Sequence, residues 1–170
     1  MFNLKPDDIE FILRILQECK PIVSKYFKSE INEIKTKEDN SPVTLADVEI
    51  SKFLIFELTK RFKGIGVISE EGDCFENNET EFWLIDPIDG TKSFIRGDNT
   101  FTVNIGLIED GRPTYGFIYA PIVDDSENGV MYYTDENKKA VKLDLDSGEK
   151  IELSVKNKGV DLDGILKKEV

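Results

Sequence analysis

Two aspartates, Asp86 and Asp89, lie three positions apart in the segment Asp-Pro-Ile-Asp-Gly-Thr-Lys at 86–92, directly after a short apolar run. The proline between them fixes one backbone torsion and favours an extended conformation at Asp86. Two carboxylates across such a turn can point to one place, and hard divalent cations prefer oxygen-only ligands. The amides of Gly90 and Thr91, at a following helical turn, are candidates for binding a phosphate oxygen. Alone, the segment also fits a plain turn, because Asp-Pro and Asp-Gly are common turn formers.

Two further stretches supply carboxylates. Glu70 lies in Ser-Glu-Glu-Gly at 69–72, after another short apolar run, and reaches the same pocket if that run pairs with 82–85. Asp47 stands three residues after Thr44, following the segment Asn-Ser-Pro-Val at 40–43. Each stretch has an ordinary alternative, a solvated loop for the first and a helix start for the second.

The four carboxylates and their neighbouring hydroxyls define the chemistry that the sequence predicts. Oxygen ligands without histidine or a catalytic type of cysteine favour Mg²⁺ or Mn²⁺ over zinc or copper. Two such ions about 4 Å apart can activate a water and stabilise the leaving oxygen in phosphoryl transfer.

Composition excludes several other classes of protein. The chain of 170 residues has no histidine, which removes Ser-His-Asp triads, Cys-His dyads and histidine-ligated metals. Its two cysteines, Cys19 and Cys74, are far apart and are typical of reduced thiols in a cytosolic protein. A net charge of −12 opposes binding to nucleic-acid polymers, although bound cations can reverse the local field for a small anion. The acidity is also compatible with a role in solubility alone.

The elements that must position these residues begin with two helices. Apolar residues recur at helical spacing from Asp7 or Asp8 to Lys28, with Pro21 inside the pattern, which predicts one kinked helix. A second helix is predicted to begin near Thr44, where Thr-x-x-Asp resembles a capping box, and to end at Gly64.

Short β-type runs follow the helices and carry the rest of the chain. They lie at 67–69, 82–85, 100–108, 114–120, 129–133, 140–145 and 150–155. The Asp110-Gly111 dipeptide between the third and fourth runs predicts a hairpin. The sequence therefore predicts an α+β fold, in which two amino-terminal helices pack on a mostly antiparallel sheet. We expect a domain over 1–156 and a polar tail over 157–170, with neither a secretory signal nor an apolar run long enough to span a bilayer.

These segments, in their order and their residues, resemble the motifs of the inositol monophosphatase superfamily of Mg²⁺-dependent, lithium-sensitive phosphatases. The resemblance rests on Asn-Ser-Pro-Val-Thr-x-Ala-Asp at 40–47, Ser-Glu-Glu at 69–71 and Asp-Pro-Ile-Asp-Gly-Thr-Lys-Ser-Phe-Ile at 86–95. The lysine after the Asp-Pro-x-Asp-Gly-Thr core and the run at 101–105 are most similar to the CysQ-type 3′(2′),5′-bisphosphate nucleotidases. The resemblance covers roughly 7–155 and implies the amino-terminal αβ part of a layered αβαβα sandwich.

The resemblance also implies roles for individual residues. Glu70, Asp86 and Asp89, with the carbonyl of Ile88, match metal ligands for two or three Mg²⁺ ions, with Mn²⁺ as an alternative. Thr91 matches the hydroxyl that orients the nucleophilic water, with Asp47 as its hydrogen-bond partner; Glu70 belongs to the same catalytic group. The amides of Gly90 and Thr91 match the cradle for the substrate phosphate.

The chain departs from the family pattern in one respect. The family continues into a carboxyl-terminal domain through a Trp-Asp-x-Ala-Ala segment whose aspartate completes the metal site, and here the single tryptophan, Trp83, precedes Leu84. We therefore expect a fragment, one part of a split enzyme or a degenerate family member. An exposed apolar sheet face would then favour self-association or a partner chain.

Two functions follow as hypotheses from the residues and the resemblance. The first is a phosphomonoesterase that hydrolyses 3′-phosphoadenosine 5′-phosphate to AMP and phosphate, with inositol monophosphatase as the alternative within the family. The second is a truncated, non-catalytic relative that acts through association. The expected location is the cytoplasm, and the sequence leaves peripheral attachment to the inner membrane open.

Overall fold

The structure is a computed structural model that describes residues 3–29, 34–36, 42–72, 74–75, 80–124 and 126–154. The predicted tail over 157–170 lies outside these residues, as do Asn40 and Ser41. Four α-helices occur in the described ranges: α1 Pro6–Gln17, α2 Lys20–Tyr26, α3 Leu45–Arg61 and α4 Thr91–Arg96. None of these helices has the length and the apolar character needed to cross a bilayer.

The first predicted helix is two helices, so the prediction of one kinked helix is wrong. The N–H of Cys19 donates to the carbonyl of Leu16 in a tight turn that closes α1, and the N–H of Val23 then donates to Cys19 in α2. Pro21 falls in the first turn of α2. A proline is tolerated there because its missing N–H would have had no helical partner.

The start of α3 confirms the capping box predicted at Thr44. The Asp47 N–H points at the Thr44 hydroxyl, and the Asp47 carboxylate accepts from the Thr44 N–H at 2.8 Å. The helix ends at Arg61, and Phe62 caps it before Gly64 turns the chain with a φ of 90°.

The strands form a short hairpin and one large sheet. In the described residues they are β1 Ile34–Thr36, β2 Pro42–Thr44, β3 Gly66–Ser69, β4 Cys74–Phe75, β5 Glu81–Asp89, β6 Thr102–Glu109, β7 Arg112–Ala120, β8 Val130–Thr134, β9 Ala140–Asp144 and β10 Lys150–Leu153. The first two pair with each other, and the others lie in the order β10-β9-β8-β7-β6-β5-β3-β4. Only the pairing of β3 with β5 is parallel among these described strands, so the predicted α+β fold with a mostly antiparallel sheet is confirmed.

A β-bulge in β5 decides where its two aspartates point. The sequence predicts a turn after Ile85, and that prediction is wrong because β5 continues through Asp89. Asp86 pairs with Asn104 and Asp89 with Thr102, so three steps along β5 match two steps along β6. Successive side chains of a regular strand alternate between faces, which would put Asp86 and Asp89 on opposite faces. The extra residue of the bulge returns Asp89 to the face of Asp86.

The two faces of the sheet differ in what covers them. One face packs against α1 and α3 and carries the core, which includes Trp83, Val103, Leu107, Phe117 and Tyr119. On the opposite face, large apolar side chains remain exposed: Leu84 (44%), Ile118 (42%), Tyr132 (37%) and Ile151 (45%). We call this second face the open face.

Candidate active site

Acidic and amide side chains stand side by side at one end of the open face. Ser69 of β3 pairs with Ile85 of β5, and the N–H of Glu70 donates to the Ile85 carbonyl at 2.9 Å, so Glu70 continues the ladder beside Asp86. On the other side of Asp86, Asn104 of β6 is its direct cross-strand partner. The strand before Glu70 therefore pairs with the strand that carries Asp86, as is needed for Glu70 to reach Asp86.

Several features of its surroundings disfavour the ionised form of Asp86. Burial raises the pKa of its carboxyl to about 7, and the charges of Glu70 and Asp89 act in the same direction. A hydrogen bond with Glu70 adds to this effect, and Asp47 contributes least. Within the described residues, Asp86 Oδ1 is buried and has no hydrogen-bond partner. Such a group is costly unless a proton or a cation compensates it.

Asp89 lies on the same face and has a different neighbour. Its Oδ2 accepts a hydrogen bond from the side-chain amide of Asn104 at 3.3 Å. Across the described residues, no group of three or more cysteine, aspartate and glutamate side chains already forms an arrangement that could hold a metal ion. The structure thus brings Glu70 against Asp86 and puts Asp89 on their face, without a closed cage of three carboxylates.

Asp47 is buried at the beginning of α3. Its Oδ2 accepts from the Thr44 hydroxyl at 2.6 Å as well as from the Thr44 N–H. Burial raises the pKa of Asp47 to about 6, although the hydrogen bonds from Thr44 act to lower it. Thr91, its expected partner, donates its hydroxyl proton to the carbonyl of Ile88 at 3.0 Å. The structure therefore records other partners for both residues in place of the expected Asp47–Thr91 hydrogen bond.

Gly90 makes the turn between β5 and α4. Its φ is 91°, and its carbonyl accepts from the N–H groups of Ser93 and Phe94 at 2.8 and 3.0 Å. A Cβ at this position would lie 2.7 Å from the carbonyl oxygen of Thr100. Only glycine fits this position without strain. Gly90 alone separates the end of β5 at Asp89 from the start of α4 at Thr91.

Sequence reasoning missed two contributors to this region. Asn104 holds Asp89, and the signal for it was a single asparagine on the polar side of an alternating β run. Ser51 of α3 donates to the Ser69 hydroxyl at 2.7 Å, and both are buried. Ser69 Oγ in turn faces the N–H of Glu71 at 3.4 Å, so this pair connects α3 to the acidic turn that carries Glu70.

The donor set fits a hard divalent cation. Carboxylates from two neighbouring strands, an amide and a backbone carbonyl are oxygen ligands of the kind that Mg²⁺ and Ca²⁺ take. The partnerless Oδ1 of Asp86 and the crowding of negative charge around it are features that a cation would compensate.

The amino-acid sequence is similar to that of known proteins. Residues 7–166 match the model of the inositol monophosphatase family. A 3′(2′),5′-bisphosphate nucleotidase CysQ of Salmonella typhimurium is 40% identical over 120 residues, which are 69% of this chain and 47% of that protein. Its counterpart in Haemophilus influenzae is 33% identical over 162 residues, 92% of this chain and 58% of that protein. The chain spans about half the length of the curated relatives it matches.

Comparison with solved structures gives the same answer. The crystal structure of CysQ from Bacteroides thetaiotaomicron, a bacterial member of the inositol monophosphatase family, aligns with a TM-score of 0.63 at 25% identity. The alignment covers 95% of this chain and 56% of that one. The family model covers residues 7–166 and the two CysQ relatives are 40% and 33% identical over 69% and 92% of this chain, so the chain belongs to the inositol monophosphatase family.

Proposed function

We propose that this chain carries the metal and phosphate site of a Mg²⁺-dependent phosphomonoesterase that hydrolyses 3′-phosphoadenosine 5′-phosphate to AMP and phosphate. The observation that carries the proposal is the partnerless buried oxygen of Asp86, opposed by the charges of Glu70 and Asp89. Nearly all buried polar atoms in folded proteins have a partner, and a carboxylate whose pKa is strongly raised by burial and neighbouring charges is a candidate functional group. The 33–40% identity to CysQ proteins supports the nucleotide as substrate.

In this proposal Glu70, Asp86 and Asp89 hold the cations together with the carbonyl of Ile88. The donors suit Mg²⁺ in two or three sites, and Mn²⁺ is the expected substitute. Bound Mg²⁺ supplies an activated water and stabilises developing negative charge on oxygen. Lithium is expected to inhibit, as the family resemblance implies.

The chain's own residues then position the reactants. The oxygen of a water bonds to phosphorus, the bond from phosphorus to the ester oxygen breaks, and a proton goes to that leaving oxygen. The Thr91 hydroxyl donates its hydrogen bond to the carbonyl of Ile88, so its oxygen can accept a hydrogen bond from the attacking water. A hydrogen bond from Thr91 to Asp47 requires the Thr91 hydroxyl to release the Ile88 carbonyl, because the hydroxyl has one proton and a carboxylate only accepts; this exchange is part of the proposal. The amides of Gly90 and Thr91 bind the phosphate.

The test uses the purified chain with 3′-phosphoadenosine 5′-phosphate and Mg²⁺, with phosphate release as the readout. An Asp86→Ala variant and inositol 1-phosphate serve as controls. We expect release from the nucleotide above the Asp86→Ala rate, and a slower reaction with inositol 1-phosphate. Release equal to that of the variant rejects catalysis by this chain, and a preference for inositol 1-phosphate selects the alternative within the family.

A second function, association, is favoured by the open face. The row that begins at Asp86 and Asn104 continues across the sheet through Ile118, Tyr132, Lys142 and Ile151. Three of these four, Ile118, Tyr132 and Ile151, are exposed and apolar, and exposed apolar side chains on one face favour an interface. We infer that a second copy of the chain covers this face, which leaves the cation site at the border of the interface.

Charge makes this association testable. Two chains of net charge −12 repel each other, and salt screens that repulsion while leaving the apolar contact in place. Light scattering after size-exclusion chromatography is expected to show more dimer in 0.5 M than in 0.05 M salt, and less dimer after Ile118→Lys. A stable monomer at every salt concentration, with or without the substitution, rejects self-association.

The proposal places the reaction in the cytoplasm. The buried thiol of Cys19 is in keeping with a reducing compartment. A fluorescent fusion and cell fractionation test the location, and recovery in the membrane fraction would support peripheral attachment instead.

A further inference from the structure

Asn104 lies beside the acidic region, although its own side chain is neutral. It is the direct cross-strand partner of Asp86 in an antiparallel pair, and it lies on the open face. Side chains at directly opposed positions of such a pair lie about 5 Å apart at their Cβ atoms. Asn104 is therefore in reach of both aspartates of β5.

The two ends of the Asn104 amide are used differently. Its nitrogen donates to Asp89 Oδ2 at 3.3 Å. Its oxygen Oδ1 is buried and, in the part of the chain that the structure describes, has no hydrogen-bond partner. The same holds for Oδ1 of Asp86 on the opposite strand. Two buried, partnerless oxygens on directly paired residues are unusual, because nearly all buried polar groups in folded proteins have a partner.

We infer that Asn104 is a positioning residue for the cation site on which the proposed function rests. Its N–H group orients the Asp89 carboxylate, and its carbonyl oxygen is a neutral oxygen ligand for the cation or for a water bound to it. Neutrality matters here, because another carboxylate beside Glu70, Asp86 and Asp89 would add to the negative charge already gathered at this end of the open face. Outer hydrogen bonds of this kind orient metal-binding carboxylates, and their loss typically lowers affinity 10- to 100-fold.

The alternative is that Asn104 serves only the stability of the sheet. The two roles predict opposite effects of an apolar side chain of similar size. If the amide mainly stabilises the sheet, Asn104→Leu lowers the stability of the metal-free chain. If it serves a cation, Asn104→Leu removes an unsatisfied buried oxygen, so the metal-free chain keeps or gains stability while cation binding weakens.

The experiment compares the full chain with Asn104→Leu and Asn104→Asp. Thr134→Val is the matched control, because its hydroxyl accepts from the N–H of Gly116 at 3.2 Å on the same sheet, two strands away. Calorimetry measures Mg²⁺ affinity, electron paramagnetic resonance measures Mn²⁺ binding, and thermal unfolding without metal measures stability.

We expect Asn104→Leu to lower the affinity for both metals about tenfold or more, without a fall in the metal-free unfolding midpoint. Asn104→Asp adds a charge, so its metal-free midpoint falls and its stabilisation by Mg²⁺ exceeds that of the wild type. Thr134→Val keeps wild-type affinity.

Wild-type affinity in Asn104→Leu would overturn the inference, as would a loss of affinity matched by a loss of metal-free stability. An Asp86→Ala variant separates this failure from that of the proposed function. If Asp86→Ala abolishes binding while Asn104→Leu does not, only the role of Asn104 is rejected. If the wild type binds no Mg²⁺, or Asp86→Ala binds it normally, the proposed metal site fails and the inference with it.

Discussion

Replacing Gly90 by alanine tests whether the turn after β5 is as constrained as its geometry indicates. The backbone at Gly90 has a φ of 91°, a conformation that costs an L residue about 1–2 kcal/mol. The added Cβ would also lie 2.7 Å from the carbonyl oxygen of Thr100 and 3.3 Å from the Cα of Phe101. Both are backbone atoms, so the chain must shift, at a further cost of about 1–3 kcal/mol. We expect Gly90→Ala to lower the free energy of unfolding by about 2–5 kcal/mol.

Gly64 provides a matched control for this experiment. Its φ is 90°, and no atom lies within 4 Å of the position that its Cβ would take. Gly64→Ala therefore carries the backbone strain without the clash, and we expect a loss of about 1–2 kcal/mol. Urea unfolding monitored by the fluorescence of Trp83 measures both variants. Equal losses would refute the reasoning, because the contact with Thr100 would then contribute nothing.

Three other outcomes follow from the same structure. Asp86→Asn removes a negative charge that burial and the charge of Glu70 disfavour. At pH 8 we therefore expect the variant to have a higher melting temperature than the wild type without metal, and no further rise on addition of Mg²⁺. A lower melting temperature of the metal-free variant would contradict the unfavourable effect of this charge. Ser51→Ala breaks the buried bond to Ser69 and is expected to cost about 1–2 kcal/mol in urea unfolding, whereas an unchanged midpoint would show that the bond adds no stability. Asp146 accepts hydrogen bonds from Ser126 and from nearby N–H groups, and these bonds lower its pKa. The ionised carboxylate therefore stabilises the fold at pH values above the ordinary aspartate pKa, and this stabilisation is lost as the pH falls through the lowered pKa. Asp146→Ala should therefore weaken the acid dependence of the melting temperature, and an unchanged acid dependence would argue against this role.

Local signals predicted the parts of the fold that depend on neighbouring residues. The capping box needs only Thr44 and Asp47, and the structure confirms it. The hairpin between β6 and β7 needs two residues that accept positive φ, and Asp110 and Gly111 have φ values of 49° and 73°. Both signals act within four residues, so no tertiary contact has to be known.

The parts that were missed depend on partners distant in the sequence. The bulge in β5 exists only in relation to the register of β6, which nothing in the 86–92 segment specifies. The bond from Asn104 to Asp89 spans 15 residues and is visible only once that register is known. The apolar pattern that continues across Pro21 predicts a kinked helix, whereas a proline can equally begin a new helix, as it does in α2.

The extra residue in β5 allows two aspartates at an odd spacing to share one face of the sheet. Deleting one residue between Asp86 and Asp89 would remove the bulge, and two aspartates two positions apart in a regular strand would still lie on the same face. The loss would instead fall on the core, because Pro87 and Ile88 are both buried and only one of these positions would remain. Descendants are therefore expected to keep the length of this segment for the packing beneath it, even where the carboxylates no longer bind a cation.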